Sequence, residues 1–259
     1  MKLMINHQTH YQYTDWAKNS IQYIKMMPQS NSHQQVHTWE ISVPGAQKMK
    51  KDAFANLWLT SNQVDPFQTM LIMAQGIVEI DLKHQYGVQD HLSPWLFLQP
   101  TTTTLCNTEM LAFAQHYVPQ VNLSHFHRLA AALLLKMPYE TASTTVCHTA
   151  VESFFAGHGV CQDHSHVFIA MAKALGVPAR YISGYLYANN QSHLASHAWA
   201  EIYLDGNWHM IDVSNQLFQP EAHVYVAIGR DYWDVAPVRG VREQGGIESM
   251  YSIVQVLAC

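Results

Sequence analysis

Cys161 occupies the position in this chain that best suits nucleophilic chemistry. It follows two glycines, Gly157 and Gly159, and it opens a segment, Cys161 to Leu175, whose apolar residues have helical spacing. The unpaired N–H groups and the positive dipole end of a helix N-terminus stabilise a thiolate. The same N–H groups can receive an oxyanion that forms on a substrate. The sequence therefore predicts that Cys161 is a nucleophile.

A thiol nucleophile needs a nearby imidazole that holds its proton and later protonates the leaving group. His197 stands at the start of a predicted strand, and Asp212 closes the next strand across the hairpin signal Asp205-Gly206. The hairpin brings both residues to the end of the sheet away from the turn. There Asp212 could accept the imidazole N–H and fix its tautomer. We therefore predict a triad of Cys161, His197 and Asp212.

Each of these residues also has a purely structural interpretation. A lone buried cysteine is commonly an inert small hydrophobe, and we interpret Cys106, Cys147 and Cys259 in that way. A single histidine can be a satisfied core residue, and a single aspartate can cap a strand end. The ordered set in this context favours the functional interpretation.

The elements that must position these residues lie in the second half of the chain. Helical spacing is found over residues 108–115, 123–136, 149–156 and 161–175, and strand patterns follow over residues 179–187, 198–204, 207–212, 224–228 and 249–257. Helices followed by the strands of one antiparallel sheet indicate an α+β domain.

The first third of the chain reads as a small β-rich module. Strand candidates rich in aromatic and branched residues cover residues 19–27, 36–43, 56–60 and 69–80. Prolines and a run of threonines then interrupt regular structure. We predict a β-rich module over residues 1–90, a linker over 91–105 and a catalytic domain over 106–259.

Composition excludes several classes of protein. The 259 residues are 13% charged with a net charge of -5, and no basic patch suggests a nucleic-acid partner. No apolar run reaches the roughly 18 residues of a membrane span, and none near the first residue resembles a signal peptide. The four cysteines form no CxxC pair. We therefore expect reduced thiols and a cytoplasmic location.

Several segments in order resemble the bacterial transglutaminase-like proteins, which belong to the transglutaminase-like superfamily of papain-related cysteine enzymes. The matching segments are residues 159–163 (GVCQD), 175–185 (LGVPARYISGY), 196–201 (SHAWAE), 229–232 (GRDY) and 237–240 (PVRG). The resemblance is strong over about residues 106–259. It is weaker over about the first 85 residues, which look like the β-rich module often fused to this core.

The resemblance implies a papain-like α+β core, preceded by the β-rich module, with the triad on Cys161, His197 and Asp212. It implies a cysteine protease or amidase that acts on a peptide or protein through a thioester acyl-enzyme, without a cofactor. Transfer of the acyl group to an amine, and a non-catalytic peptide-binding module, stay open as alternatives. We name Gln162, Trp199 and Tyr232 as candidate substrate-binding residues.

The chain departs from the family pattern near two triad residues. His164 and Ser165 follow the Gln-Asp pair, where the family has an aromatic and a small residue. Val213 and Ser214 follow the aspartate, where the family commonly has proline and threonine. His164 could therefore change substrate preference or pH dependence. We predict no metal at the His164/His166 or His125/His127 pairs, because helical residues two apart point away from each other.

Overall fold

Two antiparallel β-sheets and a group of helices organise the chain. The computed structural model describes residues 1–141, 147–188 and 196–259. One sheet has seven strands and the other four, and helices pack on the smaller sheet. The predicted α+β class with a β-rich N-terminal region is confirmed. Among the helices of the described ranges, none combines the length and apolar character needed to cross a membrane.

The larger sheet is built around one long strand that begins almost at the N-terminus. Its strands are β1 (Lys2–Ile24), β2 (Gln34–Ser42), β3 (Ala46–Lys51), β4 (Leu57–Gln63), β5 (Phe67–Ile80), β10 (Val238–Gln244) and β11 (Glu248–Ala258). The order is β2-β5-β1-β4-β3, and β10 and β11 also pair with β1. The first strand candidate in the sequence begins only at residue 19, because polar residues occupy both faces of β1 from Asn6 to His10.

The C-terminal strands join the N-terminal sheet. We expected residues 249–257 to complete the sheet of the second domain, and this was wrong, because β11 pairs antiparallel with β1 from Leu3↔Ala258 to Tyr13↔Glu248. Strand alternation specifies which side chains face inward but not which strand is the partner. Residues 238–258 therefore lie in the sheet of the predicted 1–90 module, although we assigned them to the 106–259 domain.

The smaller sheet carries the helices. It contains β6 (Ala179–Leu186), β7 (His197–Leu204), β8 (Asn207–Ile211) and β9 (His223–Gly229) in the order β8-β7-β6-β9. The helices are α1 (Thr108–Tyr117), α2 (Leu123–Lys136), α3 (Ala150–Ala156), α4 (Cys161–Ala174) and the short α5 (Tyr232–Val235). Helix α4 is buried along most of its length and packs on β6 and β7.

The segment between the two sheets is held against the smaller one by a buried arginine. Arg180 donates to Glu201 at 2.7 Å, to Asp90 at 2.5 Å and to the Val88 carbonyl at 2.6 Å. Both Arg180 and Glu201 are fully buried. Because each charge has a paired partner, this interaction fixes the segment in place.

The two sheets share core residues and polar contacts. Leu3, Ile5 and Val78 of the larger sheet form one buried cluster with Tyr185 and Val224 of the smaller sheet. The contact therefore resembles a continuous core, and it fixes the position of β1 relative to β6 and β9.

The outer edge of β9 is covered by side-chain amides of the N-terminal region. Gln34 accepts from the Tyr225 N–H at 2.7 Å and donates to its carbonyl at 2.8 Å. Asn56 makes the same pair of bonds with Ile228, both at 2.8 Å. These amides take the place of a neighbouring strand and satisfy an edge that would otherwise be open.

Candidate active site

Cys161 is the first residue of α4, as the sequence predicted. Helix α3 ends at Gly157, which has the left-handed φ of 74°. A Cβ on Gly159 would lie 2.7 Å from the Cβ of Asp163, so only glycine fits there. The carboxylate of Asp163 accepts from the Val160 N–H at 2.9 Å and from the Ser153 hydroxyl at 2.8 Å. These contacts fix the helix start and leave Cys161 partly exposed.

Cys161, His197 and Asp212 form one connected array. His197 is the first residue of β7, and Asp212 follows the last residue of β8 directly. The Nε2 of His197 donates to the Asp212 Oδ2 at 2.7 Å. The Cys161 thiol is a hydrogen-bond partner of the same imidazole. Because Nε2 bonds to the carboxylate, the hydrogen bond with the Cys161 sulfur must involve Nδ1.

The array stabilises a protonated imidazole beside an ionised carboxylate. Burial by itself would lower the pKa of His197, but the charge and hydrogen bond of Asp212, together with Cys161, outweigh it and raise that pKa well above its usual value. Burial by itself would raise the pKa of Asp212, but His197 and His223 outweigh it and hold that pKa well below its usual value. The site therefore favours the charged pair at neutral pH.

Two residues that sequence analysis missed hold Asp212 in place. His223, fully buried in β9, donates from Nε2 to the Asp212 Oδ2 at 3.1 Å. Asn215 donates to Oδ2 from its side chain at 2.9 Å and to Oδ1 from its backbone at 3.2 Å. The Asn215 backbone bond is a local turn signal, three residues after an aspartate. His223 carries no such signal, because only the fold brings it to Asp212.

His197, Asp212 and His223 also bring potential metal ligands within 4.8 Å of one another. Both rings direct a nitrogen at the same carboxylate oxygen, at 2.7 and 3.1 Å. Hydrogen bonding therefore accounts for this geometry, and we assign these residues no metal. The helical pair considered in the sequence has separate partners, since His166 accepts from the Tyr232 N–H at 3.0 Å.

His164 contacts one of the residues that depart from the family pattern after Asp212. Its Nε2 donates to the Met137 carbonyl at 2.7 Å, so its Nδ1 accepts from the Ser214 hydroxyl at 2.8 Å. Burial lowers the pKa of His164. Only 1% of the residue is exposed. His164 thus links the nucleophile helix to the loop after Asp212, and it does not reach the cleft.

The thiol and the imidazole open onto a cleft of about 720 Å³. Gln162 and Tyr232, two of the predicted substrate-binding residues, line it. Trp199, the third, is completely buried, and its ring stacks on His197 with the centroids 5.9 Å apart. The substrate-binding prediction for Trp199 is therefore corrected: it packs beside His197 on the same face of β7, and the rings of His223 and Tyr225 pack on it.

Two segments of the chain match known sequence families. Residues 112–213 match the model of the transglutaminase-like superfamily, and this range contains the whole Cys161-His197-Asp212 array. Residues 3–79 match the bacterial transglutaminase-like N-terminal region. The two matches follow each other in the order that the sequence motifs indicated.

Similar proteins cover nearly the whole chain. An uncharacterized protein of Mycobacterium leprae is 25% identical, with 98% of both chains covered. An uncharacterized protein of Mycobacterium tuberculosis is 26% identical over 92% of this chain and 86% of its own. The structure called "Putative Cysteine Protease from Cytophaga hutchinsonii" shares the fold, with a TM-score of 0.80, 21% identity and coverage of 99% and 90%. The chain is therefore similar to the transglutaminase-like superfamily over residues 112–213 and to the bacterial transglutaminase-like N-terminal region over residues 3–79.

Proposed function

We propose that this protein is a cysteine-dependent acyl-transfer enzyme that hydrolyses a peptide or amide bond. The observation that carries the proposal is the array in which Cys161, at the start of a buried helix, contacts an imidazole held at 2.7 Å by Asp212 and opens onto a cleft. Thiol, imidazole and carboxylate in this order are the groups that nucleophilic acyl transfer requires.

In the first half of the reaction, the Cys161 thiolate attacks the carbonyl carbon of the scissile amide. The oxyanion forms beside the N–H groups at the start of α4, which stabilise negative charge there. The imidazolium of His197 gives its proton to the leaving nitrogen. The C–N bond breaks, the amine departs, and a thioester joins the acyl group to Cys161.

In the second half, neutral His197 removes a proton from water, and the resulting hydroxide attacks the thioester. The C–S bond breaks, the acid product leaves, and the thiolate and imidazolium are restored. Asp212 keeps the imidazole oriented in both halves, and His223 and Asn215 keep Asp212 oriented. An amine in place of water would give transamidation with the same residues. We favour hydrolysis because the Cytophaga hutchinsonii protein of the same fold is described as a "Putative Cysteine Protease".

The test is a product assay. The protein is incubated with a peptide mixture and a labelled primary amine, and the products are separated by mass spectrometry. We expect cleaved peptides that are absent with Cys161→Ala, and few amine-tagged peptides. Predominantly tagged peptides would replace hydrolysis by transamidation. Neither product, with the fold intact by circular dichroism, would leave only a peptide-binding module.

A further inference from the structure

The N-terminal sheet forms one side of the cleft that contains Cys161. Strand β1 contributes His7, Thr9 and Tyr11 to the lining, and β11 contributes Met250 and Ser252. Thr9 lies directly opposite Ser252 in the pairing of these strands. Because the two sheets share buried core residues, this side of the cleft has a fixed position relative to the thiol.

A chain of hydrogen bonds runs along this side of the cleft. The Tyr185 hydroxyl lies 3.0 Å from the His7 Nδ1, and the His7 Nε2 lies 3.4 Å from the Thr9 hydroxyl. The Thr9 and Ser252 hydroxyls are 3.3 Å apart. Tyr185 and His7 are buried, whereas Ser252, the last residue of this hydrogen-bond series, is exposed.

The burial of Tyr185 sets the direction of this chain. Among the described residues, His7 is the only hydrogen-bond partner of the Tyr185 hydroxyl. The Tyr185 O–H must therefore donate to the His7 Nδ1, because it would otherwise be an unsatisfied buried donor. Burial lowers the pKa of His7 to about 4, so the ring is neutral and carries its proton on Nε2. Nε2 then donates to Thr9, and Thr9 donates to Ser252.

With this direction, the Ser252 hydroxyl is the last member of the hydrogen-bond series, and its O–H donates to no other member of the series. Its other contact is the Met250 sulfur at 3.8 Å, and a thioether is a weak acceptor. A substrate carbonyl oxygen in the cleft would be a better acceptor. The preceding groups are already oriented, so little ordering is needed when that bond forms.

The rest of the lining indicates what kind of segment fits. Among the described residues that line the cleft there is no Asp, Glu, Lys or Arg; aromatic, aliphatic, hydroxyl and amide groups surround the thiol. The charges of the Cys161-His197-Asp212 array are paired with one another, so a charged side chain of a substrate would lose its hydration there without gaining a free partner of opposite charge. The cleft therefore suits an uncharged segment that offers carbonyl acceptors.

We propose that the N-terminal sheet is the substrate-recognition wall of this site, where the Ser252 hydroxyl, aligned by Thr9, His7 and Tyr185, donates to a carbonyl group of an uncharged peptide segment. The inference rests on the proposed function, because the segment is the one whose amide carbon Cys161 attacks. It gives the N-terminal region a direct role in the choice of substrate.

The experiment uses the full chain and a mixture of blocked hexapeptides, half without charged residues and half with Asp, Glu, Lys or Arg at the central positions. Cleavage is followed by mass spectrometry in wild type, Ser252→Ala, Thr9→Val and Thr9→Ser. Thr69→Val is the matched control, because Thr69 is an exposed residue of β5 outside the cleft. Retention of the same peptides on Cys161→Ala, with and without Ser252→Ala, is measured by equilibrium dialysis.

We expect wild type to cleave the uncharged peptides preferentially. Ser252→Ala and Thr9→Val should each raise KM about 3- to 10-fold with kcat little changed, the usual effect of losing one neutral hydrogen bond. Thr9→Ser, which keeps the hydroxyl, should reverse most of the KM effect seen in Thr9→Val, and Thr69→Val should behave like wild type. Thermal unfolding of every variant separates this KM effect from a loss of folded protein, and Ser252→Ala keeps the test valid if Thr9→Val unfolds.

Other outcomes separate the wall from the chemistry. Cleavage with unchanged KM in Ser252→Ala and Thr9→Val, or equal cleavage of charged peptides, would overturn the wall and leave the proposed function standing. No cleavage, combined with retention on Cys161→Ala that Ser252→Ala weakens, would support the wall and overturn the proposed function. Neither cleavage nor retention would overturn both.

Discussion

At the scale of single residues, the site depends on one carboxylate that receives hydrogen bonds from three side chains. Asp212 accepts from His197, His223 and Asn215 through Oδ2, and it is fully buried. A buried carboxylate needs such partners, since an unpaired charge there would be strongly destabilising. In return it keeps the imidazole charged and oriented toward the thiol.

We expect Asp212→Asn to lower kcat/KM for amide hydrolysis by about 10²- to 10⁴-fold, in keeping with the loss seen when the acidic member of such a triad becomes an amide. The amide lacks the negative charge that raises the pKa of His197. Asp205→Asn, the same substitution in the exposed β7–β8 turn, is the matched control. A comparable rate in the two variants would show that Asp212 has no part in the reaction.

The sequence contained enough to predict the three residues of the array but not those that support them. Cys161, His197 and Asp212 each follow a local signal: a helix start, a strand start and a hairpin. His223 reaches Asp212 only because β9 lies in the same sheet, and Ser214 reaches His164 only through tertiary packing. Trp199 was misplaced because it shares a face of β7 with His197, and only the fold shows that His223 and Tyr225 pack on it there.

At the scale of elements, the edge of β9 shows how the two sheets depend on each other. Gln34 and Asn56 each satisfy both backbone groups of a β9 residue. Without them, these buried groups would have no partner and the edge of the sheet would be open. Strand β9 carries His223, so this edge also supports the site.

We expect Gln34→Ala to lower the free energy of unfolding by about 2 kcal/mol, because two buried backbone groups of Tyr225 lose their partner. Gln68→Ala, which changes an exposed glutamine of β5, should change it by less than about 0.5 kcal/mol. Urea unfolding measures both values, and amide hydrogen exchange at Tyr225 reports the local effect. Equal stability of the two variants would refute the capping role of Gln34.

The helices and the strands of the smaller sheet were predicted well, because their periodicity is strong and their turns carry glycine or proline. The start of β1 was missed because its inward positions change from Leu3 and Ile5 to His7 and Thr9, which breaks the apolar alternation. The polar stretch is where β1 borders the cleft. A functional surface therefore concealed the strand that forms it.

At the scale of the whole molecule, buried histidines set the dependence of stability on pH. Burial lowers the pKa of His7, His33 and His166 to about 4 each. In the unfolded chain these rings titrate near 6.5, so the unfolded state binds more protons between about pH 4 and 6.5. Their contribution to stability is therefore present above pH 6.5 and is lost as the pH falls toward 4.

We expect the free energy of unfolding to fall on acidification across this window, by about 1.4 kcal/mol per pH unit for each of the three rings. Asp212, with its lowered pKa, loses its contribution only at lower pH, and His197, with its raised pKa, loses its contribution as the pH rises above 6.5. Urea unfolding from pH 4.5 to 7 measures the slope. His33→Gln should reduce this slope by the share of one titrating ring. A free energy of unfolding that does not change with pH in this window would contradict the role of the buried histidines.

In the whole molecule, the N-terminal sheet borders the cleft that contains Cys161. Strands from both ends of the chain, β1 and β11, form the sheet that borders the cleft. The predicted division of the chain falls at residues 91–105, because local composition changes there. Pairing between residues more than 200 positions apart in sequence leaves no local signal, as Thr9 and Ser252 illustrate.

The most direct test of the central claim is the rate at which iodoacetamide alkylates each cysteine at pH 6 to 7, read by peptide mass spectrometry. Cys161 is partly buried and Cys147 is exposed, so access alone would favour Cys147. We expect Cys161 to react at least 10-fold faster than Cys147 and Cys106, and we expect His197→Gln to remove this advantage. Alkylation of Cys161 no faster than that of Cys147, in folded wild-type protein, would contradict this claim.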